Sequence, residues 1–437
     1  MTAETIAGVC FAFAFAIVAL TAARRALYVL AVIGALQLFQ AFVFAGSRIQ
    51  QGLFPIEVMA SVAALSVALR VFGGERLYLA REIDRPFFVL LAIAAMSLVV
   101  NLFWVDPAIN VAHVKTMVSL GQIALIAWPL ATYHFVARNL DSEQTARRVL
   151  LTVTLLAVPS LVIPFASDDI RRAFRWSVYF GLAAAPFCFA QVFYVRSRLL
   201  RLGLLTLAIV PAINGIFIGK TFLYAYVAVF MTAIGLIRVP RLVIAAGTIA
   251  AGLYLAVYVP ISGSFLPGSV QGLVKLEEKQ GSWGGRSGRV ALAVDALTIW
   301  KDHPVLGVGP GNSWPYMHHY SVIDTPHNQY LNVLLELGVC GLLTFLLLLA
   351  GCLRTGWRLY QTSRSVFAQQ FALGWLGYFA GMTLGGLTGD FVLHSIRNGG
   401  LELFTGFYFQ WIMLGLLVGL TRLECATDDV DLQEQAA

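Results

Sequence analysis

Apolar runs of about 20 residues recur along this chain of 437 residues, and a run of that length crosses the hydrocarbon core of a bilayer as an α-helix. In lipid no water is available to the peptide groups, so a spanning segment must satisfy them inside a helix or a closed barrel. These runs are about twice as long as a barrel strand, which selects helices. The spans read as 5–22, 26–45, 53–72, 86–104, 113–136, 148–166, 174–195, 199–218, 220–237, 242–262, 329–353, 367–389 and 402–422. Composition agrees: 59% of residues are hydrophobic and 12% charged, about half the charged share of a soluble domain. The expected fold is all-α, a polytopic membrane bundle of about 12–13 helices with one large helical loop.

Charge placement orients the bundle. The formal net charge of +7 would hint at nucleic acid in a soluble protein. Here 18 of the 30 Lys and Arg residues fall on one side, in the loops around Arg24, Arg70, Arg138, Arg196, Arg238 and Arg354 and in the tail at Arg422. The positive-inside rule makes that side cytoplasmic and excludes nucleic acid as a partner. The N-terminus, the 263–328 loop and the start of the eleventh span then face outward, away from the cytoplasm. The chain divides into 1–262 (N-terminal spans), 263–328 (outer loop), 329–422 (C-terminal spans) and 423–437, an acidic tail whose composition suggests disorder. The first span lacks a basic flank and reads as a retained helix. Five scattered cysteines with no C-x-x-C support neither a disulfide framework nor a zinc site.

The long loop is too apolar to be a plain linker. Val290, Ala291, Val294, Leu297 and Trp300 recur at helical spacing, which predicts a helix over 286–301 lying along the membrane surface. A shorter one is expected over 273–280, with Gly281 to Gly285 as a hinge. Two nucleotide motifs fail. Gly219-Lys220-Thr221 resembles the end of a P-loop, but Asn214 stands where the first glycine is required. Gly307, Gly309 and Gly311 lack the dinucleotide spacing.

The segment 286–341 holds four of the seven histidines, His303, His318, His319 and His327, with Arg286, Arg289, Asp295 and Asp302. Its elements HPVLGVGPGN, from His303, and PHNQYLNVLLELG, from Pro326, resemble those of the O-antigen ligase and O-antigen polymerase superfamily. Those are membrane glycosyltransferases that act on lipid-diphosphate-linked glycans. The resemblance implies transfer of a glycan from undecaprenyl diphosphate to an acceptor hydroxyl, with inversion and without metal or other cofactor. The acceptor is lipid A-core in a ligase. It is a second lipid-linked glycan in a polymerase, or a protein hydroxyl in an O-oligosaccharyltransferase. The resemblance also implies a bacterial inner membrane with the 263–328 loop on its periplasmic side, and the lipid bilayer is the remaining partner.

The resemblance also assigns residues. The histidine of the family's His-Asn pair falls on His327, and its loop arginine on Arg289, with Arg286 close by. The family has an arginine at the outer start of a mid-chain helix. This chain has Lys220 there, which keeps the charge and loses the bidentate fork. His327 and Arg289 are therefore the candidate catalytic residues, and Lys220, Arg289 and Arg286 the candidate diphosphate ligands. A diphosphate is a dense anion that arginine matches in shape and charge.

The residues themselves add Arg175, Asn328, Asp390, His394 and Arg397 as further site candidates. Charges near bilayer depth are costly and usually line a polar cavity, although Arg171, Arg172 and Arg175 also suit headgroup anchors. Asn328 is placed to cap the helix after it. Asp390 and His394, four apart, would share a helix face. Glu336 could pair with a buried cation. A transporter of lipid-linked sugars, conducting past His113 and Lys115, is the reading from a different class, and no internal repeat accompanies it.

The orientation is testable. On a cysteine-free background, a membrane-impermeant thiol reagent is expected to label cysteines at 289 and 327 in intact cells, and those at 147 and 358 only after lysis. Labelling of position 147 but not 289 in intact cells would invert the topology.

Overall fold

The computed structural model describes residues 14–15, 17–19, 22, 25–26, 42–43, 52–53, 55–76, 78–103, 115–158, 175–217, 289–320, 325–387, 389–395 and 408–436. Among them the chain forms eleven helices: α1 (Pro55–Phe72), α2 (Arg81–Phe103), α3 (Lys115–Asn139), α4 (Glu143–Ala157), α5 (Arg175–Val192), α6 (Arg198–Phe217), α7 (Arg289–Asp302), α8 (Ser313–Tyr320), α9 (Gln329–Thr362), α10 (Val366–Gly385) and α11 (Phe409–Ala436). The molecule is a helical membrane bundle. Three helices among the described residues are long and apolar enough to cross a membrane on length and composition: Arg81–Phe103, Thr116–Asn139 and Gln329–Thr362.

Two helices of the bundle start at a serine cap. Ser142 accepts from the Thr145 amide at the start of α4, and Ser365 from the Ala368 amide at the start of α10. The bundle is built from neighbours. Helix α9 packs on α2 and α10, α11 on α3, α10 on α5, and α5 on α6. Aromatic rings fill the centre. Phe187 of α5 meets Phe371, Tyr378 and Phe409, and Trp375 stacks on Phe379 at 4.8 Å. The opposite faces of α2 and α9 leave Val89, Met96, Val99, Leu343, Leu346 and Leu347 uncovered, as lipid-facing surfaces require.

Polar side chains gather at the two ends of this stack. At one end Glu82 takes Arg358 at 3.0 Å and Arg354 at 3.7 Å, and Glu75 takes Arg138 at 2.6 Å. Asp84 accepts from the Leu79 and Ala80 amides and from His134 at 2.8 Å, with both side chains buried. At the other end lie Ser97, Asn101, Ser119 and Gln122. Glu82 and Asn101 stand about 28 Å apart along α2. The arginine-rich end is the one that the charge count assigns to the cytoplasm.

Three local features differ from the sequence reading. Phe42–Val43 pairs antiparallel with Gly52–Leu53 as a two-residue ladder, where the 26–45 span was expected to continue as helix. A short apolar run bears no period that separates strand from helix. Helix α11 runs on through the acidic tail to Ala436. Its apolar turns are already formed, and adding Glu, Gln, Leu and Ala residues to an existing helix costs little. The expected loop helix appears as α7. The spans 220–237 and 242–262 and the expected helix 273–280 lie outside the described residues.

The third difference positions the site. Helix α9 is 34 residues long but breaks at Gly338, where φ is 66° and ψ −168°. The break frees the carbonyls of Leu335 and Glu336 and the amides of Val339 and Cys340. The 304–309 segment takes all four. Val308 and Gly309 donate to Leu335 O and Glu336 O at 2.9 and 3.0 Å, and Val339 and Cys340 donate to Pro304 O and Val305 O. A Cβ on Gly338 would lie 2.1 Å from Val305 O, and one on Gly307 2.4 Å from the Glu336 carbonyl carbon. Gly338→Ala is therefore expected to lower stability by at least about 2 kcal/mol, from left-handed strain plus the clash. Gly203→Ala, on an open helix face with nothing within 4 Å, is expected to raise it by about 0.5–1 kcal/mol. Thermal unfolding of the detergent-solubilised chain reads both. A Gly338→Ala variant that melts with the wild type would mean that the break is not held closely by the loop.

Candidate functional site

The site grows from the start of α9. Asn328 has extended backbone, with φ −148° and ψ 114°, and its Oδ1 accepts from the Tyr330 and Leu331 amides at 3.0 and 3.2 Å. It is the cap that the sequence implied. His327, just before it, has φ +48°, the one positive φ on a non-glycine residue among the described residues. A histidine there costs about 1–2 kcal/mol, and such strain persists where surrounding bonds impose it. The His327 side chain is partly exposed.

Two segments hold the first turns of α9, which His327 precedes. The first is 386–395. Gln329 is fully buried; its amide donates to Gly386 O at 2.9 Å, and its Oε1 accepts from Phe391 and Val392 at 3.1 and 3.0 Å. The Tyr330 hydroxyl donates to Thr383 O. Further in, Gln410 donates to Val392 O and Gln122 to His394 O. Asp390 and His394 belong to this segment, and both are buried. They do not share a helix face. Helix α10 stops at Gly385, and 389–395 is irregular, because the backbone amides of 391 and 392 are spent on Gln329. The link between the two is the His394 Nδ1 contact to the Asp390 carbonyl at 2.7 Å. His394 lies outside the helical spans, and desolvation pushes its imidazole down to about 4, so it stays neutral and supplies no positive charge for an anion.

The second is the glycine-rich loop. Glu336 is buried, and both carboxylate oxygens are engaged: Oε2 by the Gly311 amide at 2.9 Å and Oε1 by the Ser313 hydroxyl at 2.8 Å. Among the described residues these two donors, and no cation, are its hydrogen-bond partners. Ser97 of α2 donates to Leu306 O at 2.7 Å, and Asn312 to Ser119 of α3 at 3.1 Å. The loop is thus tied to three helices. Beyond it, Leu292, Ala296 and Ile299 of α7 pack with Val308, with Tyr316 and Met317 of α8, and with Leu335 of α9. Helix α7 is held against the first turns of α9, the helix that His327 precedes.

The sequence candidates fall unevenly on this frame. His327 and Asn328 stand at the head of α9. Arg289 is the first residue of α7 and Arg175 the first of α5. Asp390 and His394 line the buried segment under the start of α9. Lys220, Arg286 and Arg397 lie outside the described residues. Among the described residues no group of three His, Cys, Asp or Glu side chains has metal-site geometry. Sequence reasoning missed the roles of Gln329, Ser313 and Gly311, whose partners are backbone groups or lie far along the chain. It also missed the buried pair Asp84–His134 at the opposite end, 50 residues apart.

A family model described as O-antigen ligase matches residues 177–346, from within α5 to within α9. No curated protein matches the chain. The matched segment contains Arg289, His327, Asn328 and Glu336, the glycine-rich loop and the break at Gly338. Over residues 177–346, this chain is similar to the O-antigen ligase family.

Proposed function

We propose that this protein is a glycosyltransferase of the O-antigen ligase type. It moves a glycan from undecaprenyl diphosphate to a hydroxyl of lipid A-core on the periplasmic face of the inner membrane. The observation that carries the reading is the position of His327: inside the family segment, partly exposed, and held in a left-handed conformation by the capped helix start behind it.

His327 takes the proton of the acceptor hydroxyl as that oxygen attacks the anomeric carbon. The bond from that carbon to the diphosphate oxygen breaks in the same displacement, which inverts the centre. The departing diphosphate carries its negative charge to Arg289, Arg286 and Lys220. A diphosphate is a good leaving group, so the step demands no strong general acid. Asn328 sets the direction of the helix behind His327. Arg175, Asp390, His394 and Arg397 shape the surroundings.

The reaction is tested with labelled undecaprenyl-diphosphate-linked glycan and three acceptors: lipid A-core, a second lipid-linked glycan, and a protein. Label on lipid A-core supports the ligase. Label on the second or third instead identifies a polymerase or a protein O-oligosaccharyltransferase. Label that crosses the membrane with no transfer identifies a transporter.

Arg289→Ala is expected to weaken donor binding and slow transfer about a hundredfold, as removal of an oxyanion ligand does. Lysine at 289 should restore part of this, since it keeps charge without the fork. His327→Ala is expected to bind donor normally and lose about 10²–10⁴ in rate. Normal transfer by a folded His327→Ala variant would leave the histidine a structural role. Chelators are expected to leave transfer intact, because the loop histidines lack zinc-like spacing. Loss in chelator that a divalent ion restores would overturn that.

A further inference from the structure

We propose that Glu336 is a positioning residue, a clamp that sets the helix beginning at Arg289 against the helix headed by His327. The inference rests on the reading of Arg289 as a diphosphate ligand. Its own support is geometric. The two carboxylate oxygens take one donor each from the loop, the Gly311 amide at 2.9 Å and the Ser313 hydroxyl at 2.8 Å. Ser313 opens α8, and Tyr316 and Met317 of α8 are buried with Leu292, Ala296 and Ile299 of α7. One buried side chain therefore ties the start of α8 and, through its apolar face, α7 to the second turn of α9. Nine residues separate it from His327, so it shares a short rigid element with the candidate base.

The loop cannot supply this tie alone. The backbone exchange at Gly338 fixes residues 304–309, but α8 starts at Ser313, beyond positive-φ glycines at 309 and 311. Those glycines let the chain turn, so the direction of α8 depends on what holds residues 311–313. Asn312 in the middle donates to Ser119 of α3, and Glu336 holds both ends and is the side chain that ties them to α9. A buried carboxylate that meets two internal donors at hydrogen-bond distance is a fixed acceptor.

The substitutions separate a clamp from a chemical group. Glutamine at 336 keeps one acceptor for the Gly311 amide, and its NH₂ can donate to Ser313 Oγ once that hydroxyl rotates. Glu336→Gln therefore keeps the clamp while it removes charge and proton exchange. Glu336→Leu removes both acceptors and leaves two buried donors unmet. The probe is undecaprenyl diphosphate, bound to the purified full chain in nanodiscs. It is measured for the wild type, Glu336→Gln, Glu336→Leu, Arg289→Ala and the Glu336→Leu/Arg289→Ala double variant.

Glu336→Leu is expected to weaken binding about tenfold, the scale of coupling between residues in one network. Glu336→Gln should stay within about threefold of wild type. In the Arg289→Ala background Glu336→Leu should add almost nothing, because the clamp acts through the residue already removed. If Glu336→Leu does not survive purification, Ser313→Ala removes one of the two bonds and carries the same cycle with a smaller loss. A full multiplicative loss in the double variant would overturn the proposal, since that is what general loosening of the fold produces. A Glu336→Gln variant as impaired as Glu336→Leu would also overturn it and make the carboxylate a charged participant. If Arg289→Ala alone binds the probe normally, the reading of Arg289 fails instead, and the two failures stay distinct.

Discussion

The break in α9 at Gly338 is the constraint on which the functional end of the molecule depends. A helix interrupted inside a membrane protein exposes backbone groups that lipid cannot satisfy, at a cost of several kcal/mol each. Here four such groups are taken by 304–309 of the same chain, and glycines at 307 and 338 remove the Cβ atoms that would keep the two backbones apart. The loop has no alternative place to lie. A shift of one residue would unpair all four groups and drive a side chain into Val305 or Glu336. The turn that follows α7 inherits its register from this exchange.

The bundle around it separates two kinds of polar work. At the arginine-rich end, pairs such as Arg147–Glu143 and Arg354–Glu82 are largely exposed and stabilise little. Their role is topological. At the other end, Gln122, Gln329, Asn312, Glu336 and Gln410 are buried and bind backbone or serine groups of distant segments. A buried network of this kind loses far more from the deletion of one member than from the exposure of a surface pair. Small shifts in it move whole segments, because each amide or carboxylate bridges loop to helix.

Length and periodicity made the helices legible. The apolar runs place α1, α2, α3, α5, α6, α9 and α10, and the spacing of Val290, Val294 and Leu297 places α7 to within three residues of its observed start. The two loop elements and the cap at Asn328 were legible because short motifs carry their own geometry. The arrangement around Glu336 was not. Its partners lie 23 and 25 residues away and are a serine and a backbone amide, neither of which has a charge pattern to match. Gly338 was equally silent, since a lone glycine in an apolar run reads as a tolerated helix residue. Asp390 and His394 misled for a related reason. Spacing by four implies a shared face only if the segment is helical, and the 391–392 amides are committed to Gln329. The ladder at 42–43 shows the matching limit of hydropathy, which measures burial and not backbone state.

One consequence joins the strained histidine to the clamped loop. The left-handed conformation of His327 stands directly before the capped start of α9. The Asn328 cap and the Gln329 bonds to 386–392 fix the two residues that follow it. Helix α7 is set by contacts one and two turns further along α9. The proposed base, His327, and the helix that carries Arg289 are thus referenced to the same two turns of a single helix. The lipid matrix, which lets whole spans tilt and slide, moves both together. Catalysis that depends on bringing an acceptor hydroxyl and a lipid diphosphate to one point gains most from such shared mounting, because a displacement of about 1 Å between the two groups can cost about a hundredfold in rate.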